Sequence, residues 1–79
     1  MPISKHLEFN FVRNSESGKT KIWTVFNTTT YEHIGNIRWA GNFRKYAFYP
    51  NNDTMYDSNC LQDISEFLEK ATKEHHADK

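Results

Sequence analysis

The chain has 79 residues, a formal net charge of zero, one cysteine and twelve aromatic residues, of which six are Phe, four Tyr and two Trp. A chain of this length is expected to form one domain, whose small core must be rich in large side chains to be stable. One cysteine excludes an internal disulfide, and no apolar run approaches the roughly 18 residues that a membrane span needs. Because no basic and then apolar leader is evident, the expected location is the cytoplasm, with no membrane partner.

The charges divide the chain into two parts. Residues 1–49 hold seven Lys or Arg against three Asp or Glu, whereas residues 50–79 hold three against seven. If the first part forms a sheet and the second a helix, a cationic sheet is backed by an anionic helix. This asymmetry has two interpretations, which are attraction between the two layers and affinity of the cationic layer for an anionic partner.

The first two predicted elements are strands that form a hairpin. Leu7, Phe9 and Phe11 alternate with polar residues, which predicts a strand over about residues 7–12. Residues 14–18 are rich in Asn, Ser and Gly and predict the hairpin loop. The second strand is predicted over residues 21–27, because apolar residues on both of its faces are typical of a central strand.

The third and fourth strands are predicted over residues 33–40 and 43–49, and Gly41 and Asn42 provide the turn between them. A loop of two or four residues gives the two strands the same side-chain parity. The expected core-facing pairs are Ile37 with Tyr46, Trp39 with Arg44 and Gly35 with Phe48. A three-residue loop with a bulge would reverse one strand relative to the other, and this alternative stays open.

The opposite face of this hairpin combines basic and aromatic residues. Arg38 and Lys45 are predicted to lie directly opposite each other there, and like charges in such positions destabilise a sheet unless something compensates them. An anionic ligand would compensate them, and so would a neighbouring acid such as Glu32. The predicted members of this face are Ile34, Asn36, Arg38, Ala40, Phe43, Lys45, Ala47 and Tyr49.

The last predicted element is an amphipathic helix. Pro50 ends the fourth strand, and an extended stretch over residues 54–56 offers a short fifth strand. Asp57 is the predicted helix cap, with the two residues after it as alternatives. The helix is predicted to end at Lys73, and residues 74–79 are expected to fray. Its apolar stripe consists of Leu61, Ile64, Phe67, Leu68 and Ala71.

These elements predict an α+β fold. Four strands form an antiparallel β-meander, with the short fifth strand as an option, and one C-terminal helix packs on one face of the sheet. A single domain is expected to span residues 1–79, with an ordered core over about residues 6–73.

No motif for catalysis, metal binding or phosphate binding stands out. Cys60 lies in the predicted first helical turn, where the helix dipole lowers a thiol pKa, but no general base has a matching position. His75 and His76 are adjacent near the end of the helix, point in different directions and lack a third metal ligand. The chain is therefore predicted not to be an enzyme and to need no metal or small-molecule cofactor.

Three segments carry a resemblance to known proteins. They are Gly35-x-Ile37-x-Trp39, Arg44-x-Tyr46-x-Phe48-x-Pro50 and Asp57-Ser58-x-Cys60-Leu61-x-x-Ile64-x-x-Phe67. Over about residues 20–70 they resemble small stand-alone proteins of bacteria and their phages, which often have a second Trp where this chain has Phe43. The resemblance implies a bacterial or phage origin but no mechanism. In outline, the predicted fold is also similar to the arm-type DNA-binding domains of phage integrases, which read the major groove with a sheet.

Two functions are consistent with the basic and aromatic face. The first is nucleic-acid binding by a non-catalytic module, in which cations contact phosphates and aromatic rings stack on bases. The second is a protein-interaction or inhibitor module, including a homodimer joined through this face or a sheet edge. For either partner, the predicted site consists of Lys21, Asn36, Arg38, Phe43, Arg44, Lys45 and Tyr49.

Overall fold

Four strands and one helix follow one another along residues 7–77, which are the residues that this computed structural model describes. The strands form one antiparallel sheet in the order β1-β2-β3-β4, and α1 packs against one side of it. The predicted α+β meander with a C-terminal helix is therefore confirmed. The elements are β1 (Leu7–Asn14), β2 (Lys21–Asn27), β3 (His33–Ala40), β4 (Lys45–Pro50) and α1 (Ser58–Ala77).

The core lies between α1 and the sheet. Val25 and Ile37, at the centres of β2 and β3, have no exposed area. Phe67 of α1 stacks on Phe9 with the ring centroids 4.3 Å apart, and it meets Trp23 edge-on at 5.1 Å. Parallel and edge-on contacts of this kind add to the free energy gained by burying the rings. The aromatic residues therefore join the helix to the two N-terminal strands.

The hairpin of β3 and β4 has a four-residue turn, and its register differs from the predicted one by two residues. Ile37 pairs with Phe48, Trp39 with Tyr46 and Gly35 with Pro50, so the predicted pairs were wrong. A shift by two residues keeps the parity, and the predicted core side of Ile37, Trp39, Tyr46 and Phe48 is confirmed.

The turn itself explains this shift. Arg44 has a φ of +57°, and its amide donates a hydrogen bond of 2.9 Å to the carbonyl of Ala40. This bond closes the turn one residue before β4 begins. Phe43 and Arg44 therefore belong to the turn, and their predicted places in the fourth strand were wrong.

A bulge between β2 and β3 changes the surroundings of Ile34. The register shifts between Val25 and Phe26, so that Phe26 pairs with His33 and Ile34 is the additional residue. Ile34 is 4% exposed and belongs to the core cluster. Its predicted place on the uncovered face was wrong, because strict alternation does not hold across the bulge.

The connection between β4 and α1 contains no further strand among its residues 51–57. The hydroxyl of Tyr56 donates a hydrogen bond of 3.0 Å to the carbonyl of Ile34, and its ring packs edge-on against Phe48 at 5.4 Å. The side chain of Tyr56 thus holds the connection against the sheet without backbone pairing. The optional fifth strand over residues 54–56 is not formed.

Specific contacts explain where α1 begins and ends. Oδ1 of Asp57 accepts a hydrogen bond of 2.8 Å from the amide of Cys60, which confirms Asp57 as the cap. At the other end, the helix continues to Ala77, and the predicted end at Lys73 was wrong by four residues. His75 packs on Trp39 with the ring centroids 4.5 Å apart, and this contact supports the additional turn.

Candidate nucleic-acid interface

The side of the sheet opposite α1 is the candidate binding surface, and we call it the open face. Directly paired residues of an antiparallel sheet lie on the same side, so the register defines its members. One row crosses all four strands, because Asn10 pairs with Thr24, Thr24 with Asn36 and Asn36 with Tyr49. These residues alternate with core residues along each strand and therefore face away from the helix.

Arg38 and Tyr49 form a stacked pair on the open face. The guanidinium carbon of Arg38 lies 4.3 Å from the centroid of the Tyr49 ring, within the range of a cation-π interaction. Both side chains are exposed to solvent, and Tyr49 retains 36% of its accessible area. The residue that pairs with Arg38 is Ala47, whose small side chain leaves room above this part of the sheet. The pair can therefore present a phosphate donor and an aromatic ring side by side.

The predicted like-charge pair of Arg38 and Lys45 is not formed. Lys45 pairs with Ala40, so Lys45 and the partner of Arg38 are two residues apart along β4. Two residues of a strand correspond to about 7 Å, and at this separation the repulsion between two charges exposed to water is only about 0.6 kcal/mol. The sheet therefore does not need a bound anion to relieve repulsion between Arg38 and Lys45.

Arg13 is a member of the open face that sequence reasoning missed. Strict alternation from Leu7 would place Arg13 on the core side of β1. The register instead shifts between Phe11 and Arg13, so that Arg13 pairs with Ile22 of β2. Ile22 precedes the core-facing Trp23 and lies on the open face, and Arg13 lies there with it.

The charges on the open face are unevenly distributed. Arg13, Arg38 and Lys45 lie towards the same end of the sheet, where β1 and β3 end and β2 and β4 begin. Glu8 is the only acidic residue within the four strands, and it lies towards the opposite end of β1. Its carboxylate accepts a hydrogen bond of 2.9 Å from Nδ2 of Asn10. One end of the open face is therefore cationic.

The side chain of Asn36 is held in place beside the cationic end. Oδ1 of Asn36 lies 3.1 Å from Nε2 of His33, and the same nitrogen lies 2.9 Å from the carbonyl of Gly35. Since both partners are oxygen acceptors, Nε2 carries the proton and donates to them. This arrangement leaves Nδ2 of Asn36 as an oriented donor on the open face.

Three of the predicted site residues lie elsewhere. Lys21 is on the helix side, where it lines a pocket of about 450 Å³ with Trp23 and Tyr46, and its amide donates a hydrogen bond of 3.0 Å to Oη of Tyr46. Phe43 is 64% exposed and lines a groove between β4 and α1. Arg44 lies in the turn, outside the strand pairing. The residues that the open face gathers from the predicted site are Asn36, Arg38, Lys45 and Tyr49.

Cys60 has a pKa that is raised above the ordinary value of a thiol. Partial burial is the largest cause, and the neighbouring carboxylates of Asp57 and Asp63 also disfavour the thiolate. These effects outweigh the lowering of the pKa by the helix dipole. Such a thiol is protonated at neutral pH and is a poor nucleophile.

We expect Cys60 to react slowly with a disulfide reagent such as DTNB at pH 7–8. Because the pKa is raised in the folded state, the folded chain contains less thiolate than the unfolded chain at the same pH. The expected result is a reaction that accelerates when urea unfolds the protein and when the pH of the folded protein rises towards 9 and above. A native rate equal to the rate in urea would contradict this pKa shift.

Within residues 7–77, no group of three or more His, Cys, Asp or Glu side chains has the arrangement of a metal site. In the same residues, the helix is too polar to cross a lipid bilayer.

Comparison with known proteins gives no relative. No family model, no curated protein and no solved structure matches the chain. The resemblance to small bacterial and phage proteins stays a prediction. The function is therefore inferred from the side chains of the open face.

Proposed function

We propose that this protein is a non-catalytic module that binds nucleic acid on the open face. The observation that carries the proposal is the stacked pair of Arg38, which belongs to the cationic end of the open face, and Tyr49, whose ring centroid lies 4.3 Å from the guanidinium carbon. Proteins that bind single-stranded nucleic acid combine cationic side chains, which contact the phosphates, with aromatic side chains, on which the bases stack.

The proposed binding mode assigns a role to each group. Arg13, Arg38 and Lys45 contact successive phosphates, and because they lie on β1, β3 and β4, the strand crosses the sheet. A base stacks beside the Tyr49 ring, and Nδ2 of Asn36 donates to a base edge. Single strands are the preferred ligand, since only unpaired bases can stack on an exposed aromatic side chain.

Fluorescence anisotropy with labelled oligonucleotides tests this proposal. Mixed-sequence single strands and duplexes of DNA and RNA are titrated with the protein at several salt concentrations. Three phosphate contacts predict a slope of about −2 in a plot of log affinity against log salt for a single strand. Arg38→Glu is expected to lower the affinity at least ten-fold and to make the slope shallower.

Two variants make the test specific to the open face. Tyr49→Ala is expected to lower the affinity for single strands about five-fold or more, because stacking on one ring contributes about 1–3 kcal/mol, and to leave duplex binding almost unchanged. Lys19→Glu is the matched control, since it makes the same type of charge change in a residue that lines the helix-side pocket. Absent binding, binding independent of salt, or equal losses in Arg38→Glu and Lys19→Glu would overturn the proposal.

A further inference from the structure

A groove of about 780 Å³ runs between β4 and α1, at the edge of the sheet. The amide of Tyr46 in β4 donates to Oγ1 of Thr72 near the end of α1, whereas Phe48 contacts Tyr56 just before α1, so α1 runs roughly antiparallel to β4. Apolar side chains from both elements line the groove, among them Phe43, Phe48, Leu61 and Leu68. The groove shares Lys45 with the open face, but Arg13, Arg38 and Tyr49 do not line it.

Large apolar side chains remain exposed at both ends of this groove. Phe43, in the turn before β4, is 64% exposed, and Leu61, in the first turns of α1, is 53% exposed. Between them, Ile64 is 4% exposed and forms part of the floor. When a partner covers a surface with a buried apolar floor and exposed apolar ends, apolar area is removed from water and the free energy of the complex is lowered.

The edge of β4 is not arranged for the addition of another strand. The amide of Asn51 donates to the carbonyl of Ile34, so the amides of Tyr46 and Phe48 point to the outer edge. Oγ1 of Thr72 accepts the hydrogen bond from the Tyr46 amide at 3.0 Å, and Pro50 has no amide proton. The β4 edge therefore offers few backbone hydrogen bonds to a partner, and side chains that enter the groove must supply most of the contacts.

The charged residues that line the groove favour a partner of negative charge. Lys45 and Lys73 line it at the end where Phe43 lies, and His76 lines the same end. The only carboxylate in the lining is that of Glu69, which is four residues before Lys73 on the same helix. The groove is therefore apolar along its floor and cationic at one end.

We propose that this groove binds an amphipathic acidic helix of another protein. Leu61 and Lys73 are twelve residues apart on α1, which corresponds to about 18 Å at 1.5 Å per residue. A helix of about three turns has this length. Its apolar side chains, spaced by three and four residues, enter the groove, and its Asp or Glu side chains meet Lys45 and Lys73.

Titration of ¹⁵N-labelled protein with two synthetic peptides tests this proposal. Both peptides have leucines at the same positions, three and four residues apart, and they differ only in having Glu or Lys at the flanking positions. The acidic peptide is expected to shift the amide signals of Phe48, Leu61, Leu68 and Lys73 and to bind at least ten-fold more tightly than the basic peptide.

Variants locate the site and control for folding. Phe43→Ser and Lys73→Glu, both at exposed positions, are expected to weaken binding of the acidic peptide at least five-fold. Met55→Ser is the matched control, because Met55 is 94% exposed and does not line the groove. No binding at about 1 mM peptide, equal binding of the two peptides, or occupation of the groove by a second copy of the protein at rising concentration would overturn the proposal.

Discussion

Replacing Gly35 by alanine is expected to lower the free energy of unfolding by about 3 kcal/mol, at the upper end of the range for an overpacked core. A Cβ atom at this position would lie 2.6 Å from the carbonyl oxygen of Tyr49 and 2.7 Å from the ring of Phe48. Neither neighbour can move easily, because the carbonyl belongs to β4 and the Phe48 ring is held by Tyr56 at 5.4 Å. The added methyl group therefore forces β3 and β4 apart.

Urea unfolding followed by circular dichroism measures this loss. Gly41→Ala is the matched control, because a Cβ atom at Gly41 has no neighbour within 4 Å. Its expected effect is within about 0.5 kcal/mol, as for most substitutions at exposed positions. If the two variants unfold at the same urea concentration, the close approach of Phe48 to Gly35 does not limit the stability.

Replacing Phe67 by alanine is expected to lower the free energy of unfolding by about 3–5 kcal/mol. Phe67 stacks on Phe9 with an angle of 6° between the ring planes and contacts the edge of Trp23. The substitution removes both contacts and leaves a cavity between α1 and the N-terminal strands. A domain of this size has on the order of 4–12 kcal/mol of stability in total, so a large part of it depends on this one ring.

Thermal and urea unfolding, with tryptophan fluorescence as a second signal, measure this effect. Trp23 contacts Phe67 directly, so its emission is expected to change in the variant even before the chain unfolds. Leu61→Ala is the control on the same helix, since Leu61 is 53% exposed and its truncation is expected to cost no more than about 1 kcal/mol. Equal losses in the two variants would show that Phe67 does not anchor the helix.

The pattern of the sequence predicted the fold well where the strands are regular. The bounds predicted for β2 and β3 agree with the structure, because apolar side chains at the expected spacing and clear turn residues define these strands. The start of β4 was predicted two residues early. Either length of the loop after Ala40 fits the alternation, and only the positive φ of Arg44 selects the longer one.

The candidate site was predicted in part, and Phe43 and Arg44 were misplaced because the turn after Ala40 has four residues. Asn36, Arg38 and Tyr49 were assigned to one face correctly, because even loop lengths conserve parity. Arg13 was missed because the first strand was predicted to end at about residue 12, and Ile34 was misplaced because it lies at a bulge where the alternation slips by one residue. A basic residue at an alternating core position, such as Arg13, is itself a sign of a bulge.

The order of the strands in the sheet also has a consequence for how the chain folds. Each strand of the meander pairs with its neighbour in the sequence, so every hairpin closes a short loop at a small entropic cost. The contact between Phe9 and Phe67 joins residues that are far apart in the chain, and it can form only after α1 has docked. A topology with this many local contacts favours rapid folding, and the docking of α1 is the step that brings the most distant residues together.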